Sequence, residues 1–390
     1  MSVYPLTGIV RPYAWGSRTS LAELQGRAAP TDEPEAELWL GAHPDDPATV
    51  SRPEGPIALD ALIAADPEGQ LGAGVAGEYG ARLPYLLKVL AAESPLSLQA
   101  HPDSEYAKQA YAKQQADPSL PKNYTDAYHK PEMLVALTPF EALCGFRSAA
   151  ASAAAIEALG IPSLAPVVEA LQAGDLRTAV RNLLTWPDAD RKPLAEAVVA
   201  AAQASPSPDA DLAARLAGYY PGDPGVLVAL LLNHVRLEPG QAIWMPAGNL
   251  HAYLRGTGVE LMAASDNVLR GGLTPKRVDV DELMRVLVFE VLDDPILPPT
   301  PVAPGVETWA VPVRDFILYA VNLDGTRPPI EPPAEGARIV VAVSGDVFVG
   351  ASVDGTPVDL PAGSAAYAPA SAGPIKLAGV GKAFVAAVRS

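Results

Sequence analysis

The chain has 390 residues, 49% hydrophobic and 19% charged, enough for one large core or two to three ordinary ones and too apolar for wholesale disorder. A net charge of -17 repels phosphate backbones and anionic membranes, so neither nucleic acid nor a membrane is expected as a partner, and any anionic ligand must meet a local basic pocket. The single cysteine, Cys144, excludes an intramolecular disulfide and a Cys-rich metal site, leaving His, Asp, Glu and amide groups as possible ligands.

The opening residues have neither a basic n-region nor an apolar h-region, and the longest apolar run, Val226 to Leu232, is far too short to span a bilayer, so a cytoplasmic protein is expected. Pro (41) and Gly (32) are scattered between apolar segments, which suits a β-rich chain with many turns. Gly72-Ala-Gly74-Val-Ala-Gly77 matches a dinucleotide fingerprint literally, but it follows Asp66 to Leu71 rather than an apolar strand, and no nucleotide site is assigned. Lys88 interrupts an apolar strand, Leu86 to Leu90, where it can snorkel or pair structurally. In Leu96 to His101 polar and apolar residues alternate, so a strand would place Ser97, Gln99 and His101 on one face and Leu96, Leu98 and Ala100 toward a core. The same reading puts Lys130 and Glu132 together, opposite Met133 and Val135. Cys144 reads as a small buried residue.

From Ser148 to Ala217 alanine is dense and apolar residues recur at helical spacing: Val167 and Leu171; Val180, Leu183 and Leu184; Leu194 and Val198. Pro162, Pro166, Pro187, Pro193 and Pro206 are expected to cut this stretch into short helices, an inserted subdomain spanning 148-220. Gly240, Pro246 and Gly248 then build tight turns that aim His251 and Tyr253 to one side. Together His101, His251, Glu132 and Gln99 offer two nitrogens and two oxygens to a divalent metal, with zinc bonds expected at about 2.0 to 2.2 Å; alternatively each histidine hydrogen-bonds within a polar patch, and spacing leaves both readings open.

Asp279, Asp281 and Glu282 precede Leu283 to Leu287 and read as charges at a helix N-terminus. Five prolines between Asp293 and Gly305 suggest a stiff domain linker. Beyond it Arg338 to Val343, Asp346 to Val349 and Ala383 to Val388 read as short strands of an all-β domain. Leu237 to Gly248 can be laid over Leu360 to Ser371 with Gly240 on Gly363 and Pro246 on Pro369, an internal echo that duplicated β domains would explain. The second copy carries no histidine at the matching place, so only the first could hold a metal.

Several separate blocks resemble the type I mannose-6-phosphate isomerases, zinc enzymes of the cupin superfamily. They are Tyr13-Ala-Trp15-Gly16, Glu37-Leu-Trp39-Leu-Gly41, Ser97-Leu-Gln99-Ala-His101-Pro-Asp103 and Asp126-Ala-Tyr-His129-Lys130-Pro131-Glu132, followed by Pro246 to Tyr253 and Glu260 to Lys276. The resemblance spans roughly residues 10 to 290, in family order. It implies Gln99, His101, Glu132 and His251 as ligands of one zinc ion per chain, Arg270 as the active-site arginine, and interconversion of mannose 6-phosphate and fructose 6-phosphate. Such an aldose-ketose exchange moves a proton between C1 and C2 through an enediolate, which needs positive charge and a base; His129, Lys130 and Asp266 are the candidate bases. Ser97, Lys88, Lys276, Trp15, Tyr253 and Glu260 make up the expected substrate-binding set.

The implied fold is mainly β, with two cupin-type jelly-roll domains, the second degenerate and metal-free, and the helical insertion. The expected extents are 1-147 with 221-292 for the catalytic domain, 148-220 for the insertion and 305-390 for the second domain. Two departures stand out: Ser104 replaces a lysine common after His-Pro-Asp, and Arg270-Gly271-Gly272 replaces Arg-Ala-Gly. A sugar phosphate is the only partner expected. A metal-binding cupin without turnover is the alternative, though it would not need Arg270, Lys130 and Asp266 together; a metal-dependent oxygenase suits the Gln ligand and the Lys-Pro-Glu block less well.

Overall fold

Apolar segments between Gly and Pro turns, some alternating and some continuous and buried on both faces like Tyr85–Ala92, give two large sheets, of 11 and 10 strands, in the computed structural model, which describes residues 2-351 and 356-389. Their ladders are antiparallel. The 11-stranded sheet carries the candidate ligands. Its strands are β1 (Ile9–Arg11), β2 (Glu37–Gly41), β3 (Tyr85–Ala92), β4 (Leu98–Ala100), β5 (Glu132–Ala136), β6 (Phe140–Phe146), β7 (Leu232–Leu237), β8 (Ala242–Met245), β9 (His251–Ala263), β10 (Leu269–Gly272) and β11 (Ile296–Leu297). They run in the order β11-β8-β5-β9-β3-β2-β1, with β6, β7, β4 and β10 joined through the first half of β9.

The long strand β9 serves both halves of this sheet. His251 to Arg255 pair with β4 and β6, whereas Gly256 to Ala263 lie between β3 and β5. Gly256 makes the corner at φ 127°, where a Cβ would stand 2.7 Å from the Phe140 ring and 2.8 Å from the Pro139 carbonyl oxygen.

The second sheet contains Ile317–Asp324, Arg338–Ala351 and Ile375–Ala387, and it also takes in Tyr4–Thr7, Thr49–Arg52 and Gly55–Ala58. Tyr4–Thr7 pairs with Ala365–Ala368, so the sheet crosses the boundary expected between 1-147 and 305-390. The sheets share one core: Leu38, Leu87, Met133 and Leu261 pack with Trp309, Phe316, Ile339 and Phe384. Buried Tyr85 reaches across it, donating to the Ala386 carbonyl at 3.1 Å. Within 305-390, residues 352-355 and 390 lie outside the described residues.

Helices occupy Ala149–Glu157, Ala165–Gln172, Leu176–Leu184, Asp188–Ala204 and Pro208–Tyr219, as the alanine-rich spacing predicts. Val167, Leu171, Val180, Leu183, Leu194 and Val198 are buried in a cluster that includes Leu98, Leu250 and Leu269, so the helices back the strands that carry Gln99, His251 and Arg270. Pro166 lies in the first turn of its helix and Pro187 at an N-cap, but Pro193 sits inside Asp188–Ala204 instead of ending it. Asp279 caps Val280–Val286 by accepting from the Glu282 backbone N–H at 3.1 Å. No helix among the described residues is long and apolar enough to cross a membrane.

Two further expectations need correction. The proline-rich stretch is no bare linker: Ile296–Leu297 pairs with Ala242 and Ile243, and Thr300–Ala303 forms an edge strand of the second sheet, where Pro301 is tolerated. Arg338–Ala351 is one strand rather than two, irregular between Ala342 and Ser344.

The internal echo has a structural counterpart. Val306–Thr308, Ile317–Asp324, Ile375–Ala387, Arg338–Ala351 and Ala365–Ala368 follow the same order as β2, β3, β9, β5 and β8. Gly240 donates to the Ala136 carbonyl and Ala136 to that of Gln241; Gly363 likewise donates to Ala342 and Ala342 to Ser364. In that register Met245 faces Glu132 and Ala368 faces Arg338, so buried Arg338 holds the place that Glu132 holds in the first sheet.

Candidate metal centre and active site

Antiparallel pairing aligns three strands at one point. His251 stands opposite Gln99 and so, on the other side, does Arg270, which places the three side chains on one face while Leu98 and Ala100 enter the core. His101 follows β4 directly, and Glu132 is the first residue of β5.

The hydrogen bonds fix what these groups can do. His101 Nδ1 lies 2.6 Å from the Asn267 carbonyl oxygen and His251 Nδ1 lies 3.1 Å from that of Asn249. A carbonyl only accepts, so each Nδ1 carries the proton and each Nε2 presents a lone pair. Those Nε2 atoms lie 3.3 and 3.2 Å from the same oxygen, Glu132 Oε2. His101 Nε2 is buried without a hydrogen-bond partner, and burial lowers its pKa to about 4, which keeps the ring neutral. Three lone-pair donors facing one another in a buried space repel unless a cation sits among them. Tetrahedral ligands at zinc bond lengths stand about 3.3 Å apart, the spacing seen here. His101, Glu132 and His251 therefore fit a divalent metal.

The surrounding contacts complete that set. Lys130 Nζ lies 2.6 Å from the other Glu132 oxygen, Oε1; burial favours the neutral acid, but Lys130 and His101 hold the carboxyl well below the usual range. Gln99 Nε2 donates to Ser97 Oγ at 3.3 Å, leaving its carbonyl oxygen as a free acceptor beside His251. Cys144 pairs with His251 on its other side, and burial pushes its thiol up to about 12, so it is inert.

Arg270 is half-buried and has no hydrogen-bond or ion-pair partner among the described residues; burial lowers its pKa. Lys88 has the opposite setting. Its ammonium lies 3.1 Å from Glu260 and 3.5 Å from Glu37, so this residue of the expected substrate-binding set is already engaged. Tyr253 donates to Glu260 at 2.7 Å and Trp39 Nε1 to Glu37 at 2.7 Å, which extends the buried network. Lys276 is exposed after β10 with its side chain unpaired among the described residues, and Trp15 is partly buried and stacks on Tyr13. His129 is drawn away to Asp315, with Nε2 3.0 Å from Oδ2.

The loop after β9 holds a ligand and a candidate base together. Asp126 accepts from Asp266 N at 3.0 Å, from Ser265 Oγ at 2.9 Å and from Asn267 Nδ2 at 3.1 Å. Asn267 orients His101, and Asp266 meets His43, Nε2 to Oδ2, at 3.2 Å. Burial would raise the Asp266 carboxyl, but His43, Lys130 and Lys88 hold it below its ordinary value. Sequence reasoning missed Asn267, Asn249, Glu37 and His43. His43-Pro44, two residues past β2, echoes His101-Pro102 just past β4, and that repetition was the available signal.

Residues 3-149 match the family profile "Phosphomannose isomerase type I, catalytic domain". A mannose-6-phosphate isomerase of Shigella flexneri is 36% identical over 386 residues, 97% of either chain. The chain belongs to the type I phosphomannose isomerase family. A phosphomannose isomerase variant from Salmonella typhimurium superposes with a TM-score of 0.93 at 32% identity, each chain fully covered. A zinc-bound mannose 6-phosphate isomerase superposes at 0.91 and 32% identity, also over the whole of both chains. The phosphomannose isomerase profile takes in Gln99, His101, Lys130 and Glu132, while His251 and Arg270 fall in the stretch aligned with the full-length relatives.

Proposed function

We propose that the protein is a zinc-dependent aldose-ketose isomerase interconverting D-mannose 6-phosphate and D-fructose 6-phosphate through an enediolate. The observation that carries this reading is the convergence of His101, His251 and Glu132 lone pairs beside an unpaired Arg270. His101, Glu132 and His251, with Gln99, would hold the zinc, which when bound supplies Lewis-acid charge to a substrate oxygen.

The chain's own residues divide the rest of the work. Arg270 offers a guanidinium fork, not neutralised by any carboxylate, to the oxyanion that develops at O1 or O2. Asp266 is the best supported of the three bases: His129 is tied to Asp315 and Lys130 to Glu132, whereas Asp266 meets His43 through Oδ2 alone, its carboxyl is held below its ordinary value, and its side chain is one-third exposed. Asp266 takes the proton from C2 of the open-chain aldose; the C–H electron pair forms the C1–C2 double bond and the carbonyl pair moves to O1. The hydroxyl proton passes from O2 to O1, O2 re-forms a carbonyl, and Asp266 returns its proton to C1.

Ser97 and Lys276 are the phosphate contacts in this reading, with Trp15 a wall of the cleft. Lys88, Glu260 and Tyr253 act as a buried frame. The two sheets are read as two cupin-type units, the second metal-free, which the shared strand order and Arg338 in the place of Glu132 support; residues 148-220 form the insertion. A phosphorylated substrate and a lone buried thiol suit the cytoplasm. Proton NMR of the reaction in D2O tests the chemistry: the proton held on the one-third exposed Asp266 exchanges with solvent in a fraction of turnovers, so deuterium should accumulate at C1 of the ketose and C2 of the aldose as the reaction cycles at equilibrium, and a complete lack of solvent label after many turnovers would overturn the enediolate route.

A further inference from the structure

Among the described residues two groups of three histidine and carboxylate side chains bring their ligand atoms together, and they are wired oppositely. Besides His101, Glu132 and His251, the ligand atoms of His43, Asp45 and Asp266 lie within 4.8 Å of one another. In the first group the Nδ1 protons point at carbonyls and the Nε2 lone pairs are bare. At His43 the Asp45 backbone N–H donates to Nδ1 at 3.3 Å. Nδ1 is therefore the acceptor, and the ring proton sits on Nε2, which lies 3.2 Å from Asp266 Oδ2. A ring in that tautomer has no lone pair to give a metal; it has a hydrogen bond to give a carboxylate.

We propose that His43, held as the neutral Nε2–H tautomer, is a positioning residue that orients the Asp266 carboxylate for proton transfer. This rests on the isomerase reading above and adds to it a residue that no motif comparison nominated. The setting is built for rigidity. His43 is only 7% exposed, and its ring meets the Trp39 indole edge-on at 5.0 Å. Trp39 is held in turn by its bond to Glu37 and by Arg11 stacked over it at 4.8 Å. Asp266 is fixed from the other side through its backbone N–H, which donates to Asp126. The charged groups around the pair are Asp45 on the loop of His43, Asp126 behind Asp266, and Lys130 and Lys88 from the ligand strands. A carboxylate that must take a proton from one carbon and return it to the next needs one oxygen pinned and the other free. The one hydrogen bond from His43 to Oδ2 provides that asymmetry.

The test has two parts. In the zinc-loaded wild-type protein, nitrogen-15 NMR of the five histidines should show His43 as Nε2–H and both His101 and His251 as Nδ1–H; His43 found as Nδ1–H or as an imidazolium overturns the proposal without any variant. His43→Ala should keep full zinc and a KM within about threefold, while kcat falls about tenfold and the acid limb of its pH profile moves up by about one unit, a tenfold change in carboxylate protonation. His43→Gln, whose amide N–H can replace the donor, should restore most of both. Unchanged kcat and acid limb in His43→Ala, or a Gln variant as impaired as the Ala one, refutes the role of His43 while the isomerase reading stands. Absence of turnover in the zinc-loaded wild type would instead remove the isomerase reading itself, and this role with it.

Discussion

Replacing Arg270 with alanine separates catalysis from stability in a way that few active-site changes do. The guanidinium is half-buried and has no carboxylate partner among the described residues, so its desolvation is not offset by any ion pair in the resting protein. Removing it should therefore leave folding stability within about 0.5 kcal/mol, the usual range for a substitution that breaks no native interaction. Its charge counts once negative charge gathers on the enediolate oxygens. Loss of one preorganised donor to such an oxyanion costs about 2.7 to 4 kcal/mol, or 10²- to 10³-fold in kcat. Formation of fructose 6-phosphate, urea denaturation and zinc content, each measured on both proteins, give the comparison. Arg270→Ala should lose at least a hundredfold in kcat, with an unchanged denaturation midpoint and full zinc. Activity within fivefold of wild type would remove Arg270 from the mechanism, and a large drop in stability would show that the guanidinium has a structural partner after all.

Three further outcomes follow from buried charge. Lys88→Met leaves Glu37 and Glu260 without their counter-ion and should cost about 3 to 5 kcal/mol in urea unfolding, partly recovered by adding Glu260→Gln; a loss under 1 kcal/mol would contradict the ion-pair reading. Burial would raise the Glu141 carboxyl, but its bonds to His234 (2.5 Å) and Arg215 lower it to about 2. Its stabilising effect is therefore present above about pH 4.5 and lost as pH falls toward 2, so the stability gap between wild type and Glu141→Gln should close over that window; a pH-independent gap would refute it. Arg338→Met frees the carbonyls of Pro369 (3.1 Å) and Gly373 (2.8 Å) and should cost about 1 to 3 kcal/mol with zinc and kcat untouched; a zinc loss would show that the second sheet is not independent of the metal centre.

The site was legible wherever a local pattern carried it. Alternation in Leu96 to His101 aligned Gln99 with the ligand face, and the Lys130-Pro-Glu132 spacing anticipated the 2.6 Å contact between the two charged groups. Periodicity likewise located the helices, because an apolar stripe at 3.6 spacing must be covered. What escaped was set by distant pairing. Nothing near Tyr4–Thr7 announces a partner at Ala365–Ala368, so the shared sheet and core could not be read from either segment. Pro193 was read as a break, yet packing of Leu194 and Val198 keeps its helix continuous. Lys88 illustrates the same limit for charge: only the register that sets Glu260 opposite it on β9 shows that its ammonium is taken. His43 stayed unseen because its role depends on which ring nitrogen faces the Asp45 N–H, a property of the folded loop.

Metal analysis joined to the isomerase assay bears most directly on the arrangement of His101, Glu132 and His251. The purified protein should carry one zinc per chain, lose isomerisation of mannose 6-phosphate when the zinc is stripped and regain it on readdition, and His251→Ala should bind none. Full zinc in His251→Ala, or undiminished turnover in the stripped protein, would contradict it.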